Sequence, residues 1–350
     1  MRPPRDLTLL WALRSPCNLG CDYCYFGTLE EHREAPPAQP GQLSHLSRGD
    51  LNLAGIARFL STMNRSRVKR VFLAGGEPLI WPSIAQVIEA LTGAGVEVTV
   101  CTNGILLNRP MIRQMLFDAG VNGVSVSLDS LDPDTNDAYR PARNRKDGWR
   151  TVVSGIHALV TDRGRRATPR IGMYSVITRL NVTGLPATAR FAAELGLDYF
   201  VPQPISLERD HRLYDELVLR EQDLPALVEA LDTVYDAELG IELPAPRYPE
   251  QIASTIRHEL QRVHGCFGGH QLAFIQPDGS VWDCPSRHKI AAIARAGTQR
   301  SIATHTAAEL FPVRANTGGC DCPLYSGDCV NMWPLVQDFD RFLAATGDTR

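Results

Sequence analysis

The sequence has no apolar run long enough to cross a bilayer, no internal repeat and no low-complexity tract beyond a Pro/Gly-rich stretch from Glu34 to Gln42. Membrane spanning is therefore not expected. Charge of one sign is also missing. Lys and Arg number 36 against 39 Asp and Glu, a formal net charge of −3. The basic residues are scattered among acids, so nothing marks a surface for a nucleic-acid duplex or an anionic membrane. An export signal is lacking as well. Basic residues precede an apolar stretch in MRPPRDLTLLWALRSPC, but the stretch is short and runs straight into a cysteine motif, so it reads as a first strand. The expected setting is the reducing cytoplasm, where the nine cysteines bind metal or do chemistry rather than pair as disulfides.

The 350 residues are 44% hydrophobic and 21% charged, enough to bury a large core as one α/β domain or two. After a strand at 7–13 and the 34–42 loop, helical patterns at 51–64, 82–94, 109–119, 148–162, 184–195 and 221–238 alternate with apolar strands at 68–75, 96–104, 121–130, 169–178 and 199–205. Alternation with short turns implies a parallel sheet covered by helices, closed or partly closed into a barrel. Six units are visible, and residues just past each strand are where chemistry is expected. Beyond about residue 240 the rhythm breaks into Pro- and Cys-rich sequence around a hairpin-like piece, LAFIQPDGSVWDC (272–284), whose PDG signals a turn. The expected division is 1–240 for the core and 241–350 for a smaller domain ending in a helix.

Three cysteines sit in CNLGCDYC (17–24), directly after the first strand. The spacing C-x3-C-x2-C puts three thiols on one loop, close enough to ligate three irons of a cubane and leave the fourth open. A zinc site completed by a distant ligand is the alternative, although zinc more often uses paired C-x2-C units. GGEPL (75–79), TNG (102–104) and SVSLDS (125–130) then fall at the ends of the next three strands. Cys101 ends an apolar strand and reads as a buried small hydrophobe rather than a ligand.

This set resembles the radical SAM superfamily, whose signature is C-x3-C-x2-C with an aromatic before the last cysteine, here Tyr23. The likeness covers about residues 7–205. It implies a partial (β/α)6 barrel whose Cys17, Cys21 and Cys24 hold a [4Fe-4S] cluster that reductively cleaves S-adenosylmethionine to a 5′-deoxyadenosyl radical. It further implies that Gly75 and Gly76 let backbone approach the cofactor, that Glu77 takes its ammonium charge, and that Thr102, Asn103, Ser127 and Asp129 meet its carboxylate and ribose. Ser127 and Asp129 alternate along a strand and share a face, with capping of the next turn as the plain alternative for Asp129.

Cys266, Cys284, Cys320, Cys322 and Cys329 look like the SPASM or twitch extension that follows many radical SAM barrels. Five thiols suffice for one auxiliary [4Fe-4S] cluster and leave one over; a structural zinc is the alternative. Cys266 and Cys284 flank the hairpin, whereas the choice among Cys320, Cys322 and Cys329 stays open. The resemblance implies natural-product biosynthesis with an electron donor such as flavodoxin or ferredoxin. The first strand begins at about residue 7, which leaves no N-terminal domain for leader-peptide recognition. The expected substrate is thus a polyhydroxylated small molecule (sugar, aminocyclitol or nucleoside), oxidised, dehydrated or epimerised by an oxidoreductase or lyase. Maturation of a ribosomal peptide is the alternative, and a non-catalytic iron–sulfur protein explains the thiols but not the strand-end motifs. A base for the hydroxyl proton is sought among Arg179, Gln203, Glu208, His211, His270 and His288.

Overall fold

A computed structural model describes residues 6–26, 49–207, 209–257, 266–293, 297–313 and 329–344. The 34–42 loop, Glu208, Cys320 and Cys322 lie outside the described residues. Six strands, β1 (Leu7–Arg14), β2 (Val68–Gly75), β3 (Glu97–Thr102), β4 (Gly123–Ser127), β5 (Arg170–Ile177) and β6 (Tyr199–Pro204), pair in chain order, each parallel to the next. Helices Leu53–Leu60, Ile84–Gly93, Pro110–Asp118, Trp149–Arg163 and Leu185–Glu194 lie in the crossovers. The expected strand–helix units are all present, with ends shifted by one to a few residues. Asn52 caps the first helix by accepting from Gly55 N at 2.9 Å, while Ile56, Phe59 and Leu60 turn inward.

The sheet continues past β1 on its other edge. β7 (Leu272–Ile275) pairs with β1 in parallel, and β8 (Val281–Trp282) folds back antiparallel through the Pro277-Asp278-Gly279 turn, where Gly279 has φ +86°. The hairpin read from the sequence is present, and its first strand shares backbone hydrogen bonding with the core. The result is an open eight-stranded sheet in the order β6-β5-β4-β3-β2-β1-β7-β8.

Period-two alternation divides the core into two sides. Leu9, Trp11 and Leu13 of β1, with Val71 and Leu73 of β2, pack against the helices. Leu10, Ala12, Phe72, Ala74, Tyr199 and Val201 face the opposite, hollow side. A helical run at 330–343, with a π-type turn over Pro334–Asp338, fills the bottom of that hollow. Phe339 meets Phe72 edge-on at 4.5 Å between ring centres, and Phe342 stacks on Tyr199 at 5.1 Å. Each such side chain contributes about 1.5–3 kcal/mol by leaving water. Polar ties fix the run: the Arg70 guanidinium joins Glu97 at 2.5 Å and Asp340 at 2.7 Å, and Arg170 Nε donates to the Phe342 carbonyl at 3.1 Å.

Candidate active site

The loop after β1 is held from several directions. The Ser15 backbone N–H and hydroxyl both donate to Asp50, at 2.9 and 2.5 Å. Gly20 N donates to the Pro141 carbonyl, Asp22 N to that of Tyr139, and Arg143 N to that of Asn18, at 2.9–3.0 Å. Asn103 Nδ2 donates to Asn18 Oδ1 at 2.8 Å, and the Tyr23 hydroxyl donates to Asp129 at 2.7 Å. The aromatic before Cys24 thus anchors the loop to the end of β4. Cys17, Cys21 and Cys24 are thiols rather than disulfides, partly exposed, and line one cavity of about 240 Å³.

Gly75 and Gly76 are required by the crossing of two chain segments as well as by the cavity they line. Gly75 has φ +115°, and a Cβ on Gly76 would stand 2.1 Å from the Pro16 carbonyl oxygen. The absence of side chains lets Gly76 N reach the Arg14 carbonyl at 2.8 Å and Glu77 N the Pro16 carbonyl at 2.9 Å. Glu77 itself is 1% exposed and is absent from the cavity lining. Its carboxylate accepts from Leu79 N at 3.0 Å, Thr102 Oγ1 at 2.8 Å and Asn103 N at 2.7 Å, a strut between the ends of β2 and β3. Burial raises it to about 7 against the downward pull of those donors. The cavity wall beside it is made by Gly75, Gly76, Thr102 and Asn103.

Ser127 lines the cavity, whereas Asp129, two residues on, does not. Asp129 is 4% exposed and binds the Tyr23 hydroxyl, the Arg140 guanidinium at 2.7 Å and Val176 N at 2.8 Å. Arg140 does line the cavity, and sequence reasoning missed it. It follows a short helix, Pro133–Tyr139, that the residue pattern did not announce.

Burial, with repulsion from Cys21 next, pushes the Cys17 thiol far up; burial takes Cys21 to about 12, with the Arg140 charge opposing. Cys17 and Cys21, thiols that resist losing protons, need a strong cation to become thiolates together, which is what iron supplies. The Leu19 N–H already points at Cys17 Sγ at 3.4 Å. Among the described residues no three His, Cys, Asp or Glu side chains surround a single ion position. Three thiols opening on one cavity, one for each of three irons, fit a cubane.

Deeper in the hollow the cavity is lined by Leu10, Cys101, Ser125, Tyr174, Gln203 and Asn331, with Met332 and Leu335 of the C-terminal run. Cys101 is therefore more than a buried hydrophobe: it is partly exposed to the cavity, and burial holds its thiol up at about 12. Among the candidate bases inside the described residues, Gln203 alone lines the cavity. Arg179 pairs with Asp223 at 3.0 Å, and His211 accepts from Leu213 N at 3.1 Å. The His270 carbonyl accepts from Arg67, and His288 packs on Phe274 and Trp282 with its pKa lowered by burial.

Cys266, Cys284 and Cys329 are thiols rather than disulfides, and partly exposed. Cys284 and Cys329 pack against the inner apolar cluster from the hairpin and from the head of the C-terminal run. No helix among the described residues is long and apolar enough to cross a membrane.

Similarity to known proteins agrees with this geometry. The AdoMet-dependent heme synthase of Methanosarcina barkeri (strain Fusaro / DSM 804) is 24% identical over 297 residues, 79% of this chain and 76% of that protein. The GTP 3′,8-cyclase of Chlorobaculum tepidum is 27% identical over 309 residues, 86% and 80% of the two chains. Streptococcus suis SuiB has the same fold, with a TM-score of 0.62 at 18% identity over 92% of this chain and 67% of its own; it has also been solved bound to the precursor peptide SuiA. The model of the radical SAM superfamily matches residues 16–192, from the residue before the first cysteine through the four strands β2 to β5. The chain belongs to the radical SAM superfamily.

Proposed function

We propose that this radical SAM enzyme takes a hydrogen atom from a neutral, hydroxyl-bearing small molecule held in the hollow below the cysteine loop. The observation that carries the reading is the make-up of that hollow. Ser125, Tyr174, Gln203 and Asn331 are uncharged hydrogen-bonding groups set among apolar side chains, and Arg140, committed to Asp129, is the one charged residue lining it among the described residues. Neutral donors and acceptors on an apolar wall suit hydroxyl groups, whereas an ionised group would enter without a free countercharge. The names of the heme synthase and the GTP cyclase support a small molecule.

In this reading Cys17, Cys21 and Cys24 hold the [4Fe-4S] cluster, which together with S-adenosylmethionine supplies the 5′-deoxyadenosyl radical. Gly75, Gly76, Thr102, Asn103 and Ser127 form the cofactor's wall, with Glu77, Asp129 and Tyr23 holding that wall in place. Cys266, Cys284 and two of Cys320, Cys322 and Cys329 would hold a second cluster, which would supply an electron acceptor for the oxidation of a carbinol to a ketone. A flavodoxin or ferredoxin supplies the first electron.

The test is anaerobic. Reconstituted protein is given dithionite, S-adenosylmethionine and either a panel of sugars, aminocyclitols and nucleosides or candidate precursor peptides, and 5′-deoxyadenosine is measured. Stimulation by a neutral hydroxylated compound, with deuterium passing from its reacting carbon to 5′-deoxyadenosine, is the expected result. A product two hydrogens lighter marks oxidation, and one lighter by water marks dehydration. Stimulation by peptides alone replaces this reading with peptide maturation, for which the SuiB likeness speaks.

A further inference from the structure

The segment that clasps the cysteine loop from outside is strongly basic. Residues 139–150, YRPARNRKDGWR, carry five cations against one acid in a chain whose net charge is −3. Arg140 is buried on Asp129. Of the rest, Arg143 is half-buried, and Arg145, Lys146 and Arg150 are exposed. None of these four pairs with an acidic side chain among the described residues. The one acid, Asp147, accepts from Asn144 Nδ2 at 2.6 Å, and Asp22 of the cysteine loop is already matched by Arg212.

The segment is fastened to the loop backbone to backbone. Leu19 and Ala142 form an antiparallel bridge, Gly20 N donates to the Pro141 carbonyl at 2.9 Å, and Arg143 N donates to the Asn18 carbonyl at 3.0 Å. Arg143 Nε also reaches the Leu19 carbonyl at 3.3 Å. Asn18 and Leu19 lie between Cys17 and Cys21, so the guanidinium braces the short link between two thiols of the motif. Past this ribbon the chain turns sharply. Arg145 N donates to the Ala142 carbonyl at 3.0 Å, Asn144 Oδ1 accepts from Lys146 N and Asp147 N at 3.0 and 3.1 Å, and Arg145 sits at φ +54°. The turn is fixed by its own hydrogen bonds, with Arg145 and Lys146 at its tip. Neither lines the cavity, so their charge is presented to solvent rather than to the hollow. Like charges held together without a countercharge repel, and an anionic partner removes that cost.

We propose that this turn is the docking surface for the acidic one-electron carrier protein that reduces the cluster, with Arg145, Lys146 and Arg150 meeting carboxylates around the carrier's redox group. The inference rests on the radical reading above and deepens it. One electron passes from the carrier's reduced group to the cluster; the carrier is oxidised by one electron, and no bond or proton moves. Opposite charge speeds such an encounter and orients it, and the ribbon delivers the oriented carrier to the cysteine loop from outside the cavity. A duplex would ask for a longer basic stripe, whereas one turn suits a carboxylate cluster on a small protein.

Reconstituted enzyme is titrated with oxidised flavodoxin and, separately, oxidised ferredoxin, both acidic carriers, at low and high salt. Binding is expected to weaken at high salt, and Lys146→Glu to weaken it about tenfold at low salt. Arg165→Glu makes the same change of charge about 20 Å away, past the far end of the helix Trp149–Arg163, and is expected to alter binding by under about twofold. Release of 5′-deoxyadenosine is then driven either by the reduced carrier or by dithionite. Lys146→Glu should raise the carrier concentration needed for half-maximal release about tenfold and leave the dithionite-driven rate unchanged, which separates docking from damage to the site. Arg145→Asn removes a second charge with a residue that suits the left-handed backbone there. Carriers that do not bind, binding indifferent to salt, binding unaltered in both variants, or an equal loss in Arg165→Glu overturns the proposal. Absence of dithionite-driven release from the wild type overturns instead the radical chemistry on which it stands.

Discussion

The two groups of cysteines differ in how the chain brings them together. Cys17, Cys21 and Cys24 lie on one segment, and side chains from β3, the end of β4 and the loop after Tyr139 clasp it. Cys266, Cys284 and Cys329 come from three places: before β7, after β8 and the head of the C-terminal run. A site built on one loop carries its geometry in its spacing, whereas a site gathered from separate elements takes its geometry from the fold. The first group should therefore tolerate loss of the second, while the second depends on the pairing of β7 with β1 and on the docking of the C-terminal run.

Replacing Cys17, Cys21 and Cys24 together by Ala should bring 5′-deoxyadenosine release down to background. Iron per chain should fall from about eight to about four. Iron and sulfide analysis checks the split, and a wild type with only about four irons, or with zinc at the C-terminal thiols, would remove the second cluster from the comparison. Asp129→Ala should come next in size. It strips the partner from the buried Arg140 and unties Tyr23 from the loop, a loss of about 3–5 kcal/mol for a buried pair broken on one side. Urea unfolding measures it.

Cys284→Ala sharpens the contrast from the other end. Its expected signature is loss of about four irons, continued cofactor cleavage and little or no product. If cleavage fell in step with product, the two groups would be one functional unit.

The smallest effect concerns Glu77, whose pKa of about 7 stands above its ordinary 4.5. Between those values the folded protein keeps a proton that the unfolded chain releases. Stability of the iron-free protein should therefore fall as pH rises from about 4.5 to about 7, by about 3 kcal/mol in all. Glu77→Gln should flatten that slope. It should also lower stability at acid pH by about 1–3 kcal/mol, because an amide nitrogen then faces the N–H and O–H donors of Leu79, Thr102 and Asn103. Denaturant midpoints across the pH range test both.

Strand positions were legible because alternation and helical period are local signals: β2 occupies Val68–Gly75, the range read from its residues. The cysteine loop was legible for the same reason. What could not be read was which polar side chains face the cavity and which brace it. Glu77 and Asp129 occupy motif positions, yet their present partners are backbone amides, a tyrosine and an arginine supplied by other strands and loops. Cys101 and Tyr174 reach the hollow through strand pairing, Asn331 through the docking of the C-terminal run and Arg140 from the end of the Pro133–Tyr139 helix, contacts with no counterpart in neighbouring residues.

That docking sets the order of events at the ribosome. Arg70 waits 270 residues for Asp340, and Phe72 and Tyr199 wait for Phe339 and Phe342. The parallel strands emerge early with their hollow side uncovered, and contacts so distant in sequence form slowly. A nascent chain thus presents a wet, apolar trough beneath its cysteine loop until its last helix is synthesised, and the pocket in which a radical would be sheltered from solvent exists only once translation has passed residue 343.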